Sequence, residues 1–313
     1  MNHNSPKEVI AIGDIHGDLP RLKAILSHAG LINEKDKWIG KDSMLIQLGD
    51  TIDRTPSEVP PFAAFRFLQN LQKQAAHCDN SKVIRLLGNH ELMLLEGLYW
   101  FTLKDLGYKA KTKLVIDQLA EEIRQEVLEG KITGAWSHND ILFLHGGLRT
   151  KVRNIILNFL HENNMALIGS DSMLATNLKI AINTLLKKAL TNKDFSNSIF
   201  WVSKYRGGKN EVGGVFWCDF FELTSSLGSY KIRQVVGHTP TPIDNNCLII
   251  RGQWRIVCMD SAISRGYGDK GFMSYLKINK DGAFIWYSND GKKWQNIKLP
   301  EGRNKRSRLQ KGE

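Results

Sequence analysis

Residues able to hold a divalent ion or move a proton recur in this chain at the ends of short apolar runs, each beside a glycine. Gly13-Asp14-Ile15-His16-Gly17-Asp18 follows Val9-Ile10-Ala11-Ile12, and Gly49-Asp50-Thr51-Ile52-Asp53-Arg54 follows Met44-Leu45-Ile46-Gln47-Leu48. Gly88-Asn89-His90-Glu91 follows Val83-Ile84-Arg85-Leu86-Leu87. His145-Gly146-Gly147 follows Ile141-Leu142-Phe143-Leu144, and Gly237-His238-Thr239 follows Gln234-Val235-Val236. Such runs read as buried strands, and an open α/β sheet places its ligands outside the carboxyl ends of its strands. One Gly/Asp turn alone is an ordinary loop with a helix cap. Five run ends of this kind in one chain argue for a shared site. Carboxylates, a carboxamide and imidazoles, with no thiolate, suit manganese, iron or zinc. Two such ions roughly 3.5–4 Å apart can clamp a phosphoryl group and acidify a shared water. Asp14 and His16, two residues apart, would point the same way on a strand and grip one ion. No Cys-x5-Arg loop offers a cysteine nucleophile instead.

In chain order, GDIHGD, GDTIDR, GNHE, HGGL and GHT resemble the motifs of the calcineurin-like metallophosphoesterases. The GDTIDR and GNHE forms look most like the phosphoprotein phosphatase group, particularly its bacterial and Shewanella-like members. The resemblance runs from Asp14 to His238 and implies a dinuclear centre bridged by Asp50. Asp14 and His16 would complete the first metal position, and Asn89, His145 and His238 the second. The two divalent ions are expected to be manganese, with iron or zinc as alternatives. The implied reaction is hydrolysis of phosphomonoesters on phosphoproteins, at Ser/Thr or Tyr, by a metal-activated hydroxide. The alternative within the same fold is hydrolysis of nucleotides or dinucleoside polyphosphates.

His90 is the candidate general acid, with Asp53 accepting its other ring N–H. Arg54 can fork onto two phosphate oxygens. The group usually supplies a second phosphate-binding arginine just after a tryptophan between the two late histidines, but here Trp217 is followed by Cys218-Asp219. Arg206, in Tyr205-Arg206-Gly207-Gly208, is expected to take that role ahead of Arg149 and Arg265. Asp260-Ser261-Ala262-Ile263-Ser264-Arg265-Gly266-Tyr267-Gly268 resembles the family's segment after the last metal ligand.

The elements that must position these residues follow from periodicity. Strand and helix alternate through the first 90 residues, with Leu19–Leu26 and Phe62–Leu71 as crossover helices, which implies a largely parallel sheet. Helical patterning then fills about 91–136 and 150–190 as insertions. Beyond Val235 short strands follow, expected to form an antiparallel meander closing a second sheet. The fold class is therefore α/β, a two-sheet β sandwich flanked by helices. The catalytic domain is expected over 1–290, with a basic, flexible tail over 291–313.

Composition bounds the partners. The 313 residues are 42% hydrophobic and carry a formal charge of +11. Eight Lys/Arg against Glu301 and Glu313 put six of those eleven charges between Lys292 and Glu313. Basic residues are not interleaved with aromatics, so a nucleic-acid partner is not expected. No apolar run reaches 18 residues and the N-terminus has no hydrophobic region, so neither a membrane span nor a signal peptide is expected. Cys78, Cys218, Cys247 and Cys258 show no metal or redox spacing and suit a reducing compartment. The expected location is cytoplasmic, or that of a bacterial effector exported without a cleaved signal. Oligomeric state stays open.

Overall fold

The structure, a computed structural model, describes residues 6–107, 112–163, 170–224, 232–241, 250–252, 254–268 and 271–300. The first third alternates as expected: β1 (Glu8–Ile12), α1 (Leu19–His28), β2 (Ser43–Gln47), α2 (Ala63–Ala75) and β3 (Lys82–Leu86). The chain then turns helical through α3 (Asn89–Leu95), α4 (Trp100–Leu106) and α5 (Thr112–Leu128), and returns to strand in β4 (Ile132–Thr133), β5 (Ala135–His138) and β6 (Ile141–Leu144). Helices α6 (Thr150–Glu162), α7 (Asp171–Asn192) and α8 (Phe220–Thr224) precede β7 (Arg233–Val236), β8 (Ile250–Arg251) and β9 (Ile256–Cys258). A final run of strands, β10 (Met273–Asn279), β11 (Gly282–Ser288) and β12 (Gln295–Lys298), ends the described chain.

Two sheets result, in the orders β12-β11-β10-β1-β2-β3-β4 and β5-β6-β7-β9-β8. Strands β1 to β4 run parallel, as do β6, β7 and β9. Alternate residues of β1 serve two cores, as a pleated strand requires. Val9 and Ala11 join Met44, Ile46 and Leu276 against Phe143, Val235 and Val257 of the second sheet. Ile10 and Ile12 instead pack under Leu22, Ile25 and Leu26 of α1 and Leu68 and Leu71 of α2. Helices α5, α6 and α7 cover the outer face of the second sheet, where α7 buries Leu178, Ile182, Leu185 and Leu186. Each such fully buried side chain contributes about 1.5–3 kcal/mol. The 150–190 insertion is thus largely a structural layer. Among the described residues no helix is long and apolar enough to cross a membrane.

Three expectations need correction. The helical stretch expected to reach Trp136 already becomes strand at Ile132, because β4 extends the parallel edge beside β3. The late strands do not together close a second sheet. Strands β8 and β9 do enter it, but β10 pairs antiparallel with β1 and carries β11 and β12 with it, extending the first sheet to seven strands. Strand β1 is hydrogen-bonded to β2 on one side only, and an open edge there would expose unpaired backbone that β10 satisfies. Strand β12 also lies inside the stretch expected to be a flexible tail, and Leu299 just beyond it is buried between the sheets. The tail from residue 301 onward, Leu248-Ile249 and Cys247 fall outside the described residues.

The two sheets come into close backbone contact where β1 and β9 end. A Cβ on Gly13 would lie 2.2 Å from the carbonyl oxygen of Met259 and 2.9 Å from the nitrogen of Asp260, backbone on both sides. Gly13→Ala should therefore destabilise the fold by about 1–3 kcal/mol through overpacking, read as a lower urea midpoint. An unchanged midpoint would mean that these strand ends can part without cost.

Candidate active site

Six strands deliver their following residues to one place. Asp14 and His16 follow β1, Asp50 follows β2, and Asn89 and His90 open α3 after β3. His145 follows β6, His238 follows β7, and Asp260 follows β9. Asp50 stands at the centre: its donor atoms and those of His16 and His90 lie within 4.8 Å of one another, as do those of Asp14, Asp50 and His145. Asn89 bridges the two late histidines, its Oδ1 lying 2.8 Å from Nε2 of His145 and 2.7 Å from Nδ1 of His238.

Asp14 and His16 reach this site from a turn, not from an extended strand. Strand β1 stops at Ile12 and His16 has φ 42°, so strand alternation does not govern their direction. The carboxylate of Asp14 accepts the His238 backbone N–H at 3.0 and 3.1 Å, whereas Nε2 of His16 lies 3.5 Å from Asp50 and 2.8 Å from the Tyr267 hydroxyl. Asp50, Asp53, Arg54 and His238 also have left-handed φ, from 53° to 69°. Such conformations cost about 1–3 kcal/mol each and collect at functional sites. The start of the loop after β2 is held by Glu91, whose buried carboxylate accepts the N–H groups of Gly88, Asp50 and Thr51 and the Thr51 hydroxyl at 2.7 to 3.0 Å.

The buried charges need a cationic partner. Burial raises Asp14 well above the usual carboxylate range, and the charges of Asp260 and Asp50 add to this. Burial likewise pushes Asp260 up to about 7, with Asp50 contributing. Burial would also raise Asp50, but the imidazoles of His145, His90 and His16 outweigh it and hold Asp50 low. Burial pushes His16 down to about 3 and also lowers His145 and His238, which favours the neutral ring, the form that binds metal. A neutral ring has one N–H, yet Nδ1 of His145 faces the Leu48 carbonyl at 2.8 Å while its Nε2 faces the Asn89 oxygen. Nε2 of His238 and Oδ2 of Asp260 are buried without a hydrogen-bond partner among the described residues. Lone pairs converging on one another in a buried, acidic site fit divalent ions with N/O ligands.

Proton-transfer and anion-binding groups rim the same site. Nδ1 of His90 lies 2.9 Å from Asp53. Burial would lower this ring, but Asp50 and Asp53 outweigh it and hold His90 above an ordinary histidine. A pocket of about 260 Å³ opens here, lined by Asp50, Asn89, His90 and His238, by Arg54 and Arg206, and by Met93, Trp100, Phe101, Trp217 and Tyr267. Arg206 is 2.8 Å from Asp219, and its Nε is buried without a hydrogen-bond partner among the described residues. Arg149 and Arg265 do not line the pocket. Arg149 approaches Glu222, and Arg265 is engaged by Asp18 and Glu58.

Sequence reasoning assigned no role to several residues here, although Asp260 and Tyr267 lie in the segment it singled out after the last metal ligand. Asp260 sits at a sixth strand end, but Met259 precedes it where the other ends have glycine. Glu91 was visible only as a motif letter. Tyr267 and the pair Trp100 and Phe101 carried no periodic signal at all.

Comparison with known proteins gives a consistent family. A family model described as calcineurin-like phosphoesterase matches residues 7–242. Shewanella-like protein phosphatase 1 of Plasmodium berghei is 29% identical over 295 residues, 87% of this chain and 72% of that protein. Shewanella-like protein phosphatase 2 of Arabidopsis thaliana is 36% identical over 99 residues, 32% of this chain and only 24% of that protein. Among solved structures, the cold-active protein-tyrosine phosphatase of a psychrophilic Shewanella species superposes with a TM-score of 0.55 at 20% identity, over 94% of this chain and 80% of that one.

The His90–Asp53 contact makes its own prediction. Asp53→Asn removes the charge and the accepting carboxylate, so the His90 ring should titrate at lower pH than in the parent protein, as read from its ring resonances by NMR. An unmoved titration would show that Asp53 does not support the imidazolium.

Proposed function

The chain belongs to the calcineurin-like phosphoesterase family, and from that premise we propose that it is a metal-dependent phosphatase removing phosphate from phosphorylated side chains of proteins, serine/threonine or tyrosine. The observation that carries this reading is the shared pocket. The His90–Asp53 pair, two arginines and the metal-ligand candidates Asp50, Asn89 and His238 meet around one space of about 260 Å³. The P. berghei and Arabidopsis relatives, protein phosphatases by name, support a protein substrate.

Asp14, His16, Asp50, Asn89, His145 and His238 would hold two divalent ions, which we take to be manganese. When bound, the ions would neutralise phosphate charge and lower the pKa of water. The remaining work belongs to the chain. Arg54 and Arg206 both line the pocket and would share the phosphate oxygens, each through a charge-assisted contact of about 1.5–3 kcal/mol. His90, whose imidazolium Asp50 and Asp53 favour, would hand its proton to the leaving oxygen. Phe101 lies 4.7 Å from the His90 ring and stacks on Trp100, giving the leaving side chain an apolar wall.

Chelation should abolish turnover and Mn²⁺ should restore it, with phosphopeptides hydrolysed in preference to diadenosine tetraphosphate. Full activity in excess chelator would defeat the proposal, and the opposite substrate preference would move the substrate to nucleotides. His90→Asn should cut kcat by roughly 10²–10⁴-fold on alkyl phosphates and much less on p-nitrophenyl phosphate. Equal losses on both would remove His90 as the acid.

A separate measurement addresses the second arginine. Arg206→Ala should lower kcat/KM by roughly 10–100-fold and weaken inhibition by phosphate in step. Unchanged kinetics would leave Arg54 and the metals as sufficient.

A further inference from the structure

Arg54 does not lie loose in the pocket. Its guanidinium carbon sits 5.0 Å from the centre of the Phe101 ring and 4.7 Å from that of Tyr267, and it donates to the Tyr267 hydroxyl. That hydroxyl also lies 2.8 Å from Nε2 of His16. Tyr267 therefore fixes the attitude of the phosphate fork and seals one side of the candidate metal site. What fixes Tyr267 is less obvious, because it sits in a short turn with glycine on each side.

The answer lies two residues earlier. Arg265 meets the carboxylate of Asp18 through three donors, its backbone N–H at 3.0 Å, Nε at 2.8 Å and Nη2 at 2.9 Å, and its Nη1 reaches Glu58 at 2.5 Å. The Asp18 side chain is fully buried and also caps α1 through the Arg21 N–H. Burial would raise Asp18, but the hydrogen bonds and charge of Arg265 hold it below the usual carboxylate range. The Ser264 hydroxyl donates to the His16 carbonyl, and a Cβ on Gly266 would lie 2.0 Å from the Arg54 carbonyl oxygen. The turn is thus pressed against both the loop after β1 and the loop after β2. A bidentate arginine contact on a buried carboxylate is the strongest of these links.

We propose that Asp18 and Arg265 are a positioning pair that sets phosphate affinity at a distance, by fixing Tyr267 and through it Arg54. This deepens the phosphatase reading and rests on it. Neither residue lines the pocket, so their removal should act on binding and not on proton transfer.

The test is calorimetric titration of inorganic phosphate into manganese-loaded protein, with metal content measured alongside. Arg265→Ala and Asp18→Asn should each weaken phosphate by about 5–10-fold without loss of metal, and should raise KM while kcat stays within about twofold. Asn still caps a helix, so Asp18→Asn keeps the test alive if Arg265→Ala fails to fold. Arg265→Lys, charged but unable to fork, should fall between. Tyr267→Ala should weaken phosphate at least as much, and adding Arg265→Ala to it should cost less than about twofold more. Full additivity in that double variant, or unchanged phosphate affinity in both single variants, would overturn the positioning role alone. Failure of the parent protein to bind phosphate would overturn the reading of the site and this inference with it.

Discussion

The carboxylate of Glu91 gathers three backbone N–H groups and one hydroxyl from two different strand ends, and the geometry of the site follows from that gathering. A buried carboxylate is costly unless its lone pairs are used, and here four donors use them. The consequence is positional. Asp50 and Gly88 are drawn so close that a Cβ on Gly88 would lie 2.1 Å from Oδ1 of Asp50, and the His90 N–H reaches that same oxygen at 2.9 Å. From there the loop after β2 runs through left-handed conformations at Asp50, Asp53 and Arg54. Asp50 then faces the space between the sheets, Asp53 faces His90, and Arg54 faces the pocket.

The same arrangement stores electrostatic cost. Asp14, Asp50, Glu91 and Asp260 are all buried, and three of them are held above the usual carboxylate range by that burial. Folding brings these groups together before any gain from ligand binding. Ions that bind the native state but not the unfolded chain recover the cost by mass action. Stability and metal loading are therefore coupled in this chain through residues that belong to both the sandwich and the site.

Legibility in the sequence followed locality. The ends of β1, β2, β3, β6 and β7 could be read because each joins a ligand-type residue to a glycine, and glycine is required by a local cause, the close approach of backbone from the other strand. Gly49 shows this: a Cβ there would lie 2.6 Å from both the Cα and the backbone nitrogen of Gly88. The end of β9 lacks that signature, since the space there is made by Gly13 on the opposite strand and Met259 supplies only its carbonyl. Sheet membership of β10 to β12 was hidden for another reason. Alternation shows that a segment is a strand, but which edge it pairs with depends on the open side of β1, more than 260 residues earlier in the chain. The strands β4 and β5, two and four residues long, are too short to break a helical pattern that precedes them.

These two levels of encoding also divide the chemistry. Groups that would hold metal sit on strand ends locked by Glu91 and by glycine contacts between backbones, so they can shift only if the sandwich shifts. Groups that would hold phosphate are placed by side chains: Arg54 by Phe101 and Tyr267, Arg206 by Asp219. Phe101 comes from α4, Tyr267 from the turn after β9 and Asp219 from the start of α8, none of them part of either sheet. Because side-chain contacts can be exchanged one at a time while interlocked strand ends cannot, substrate recognition in this fold can change without disturbing the groups that would bind metal.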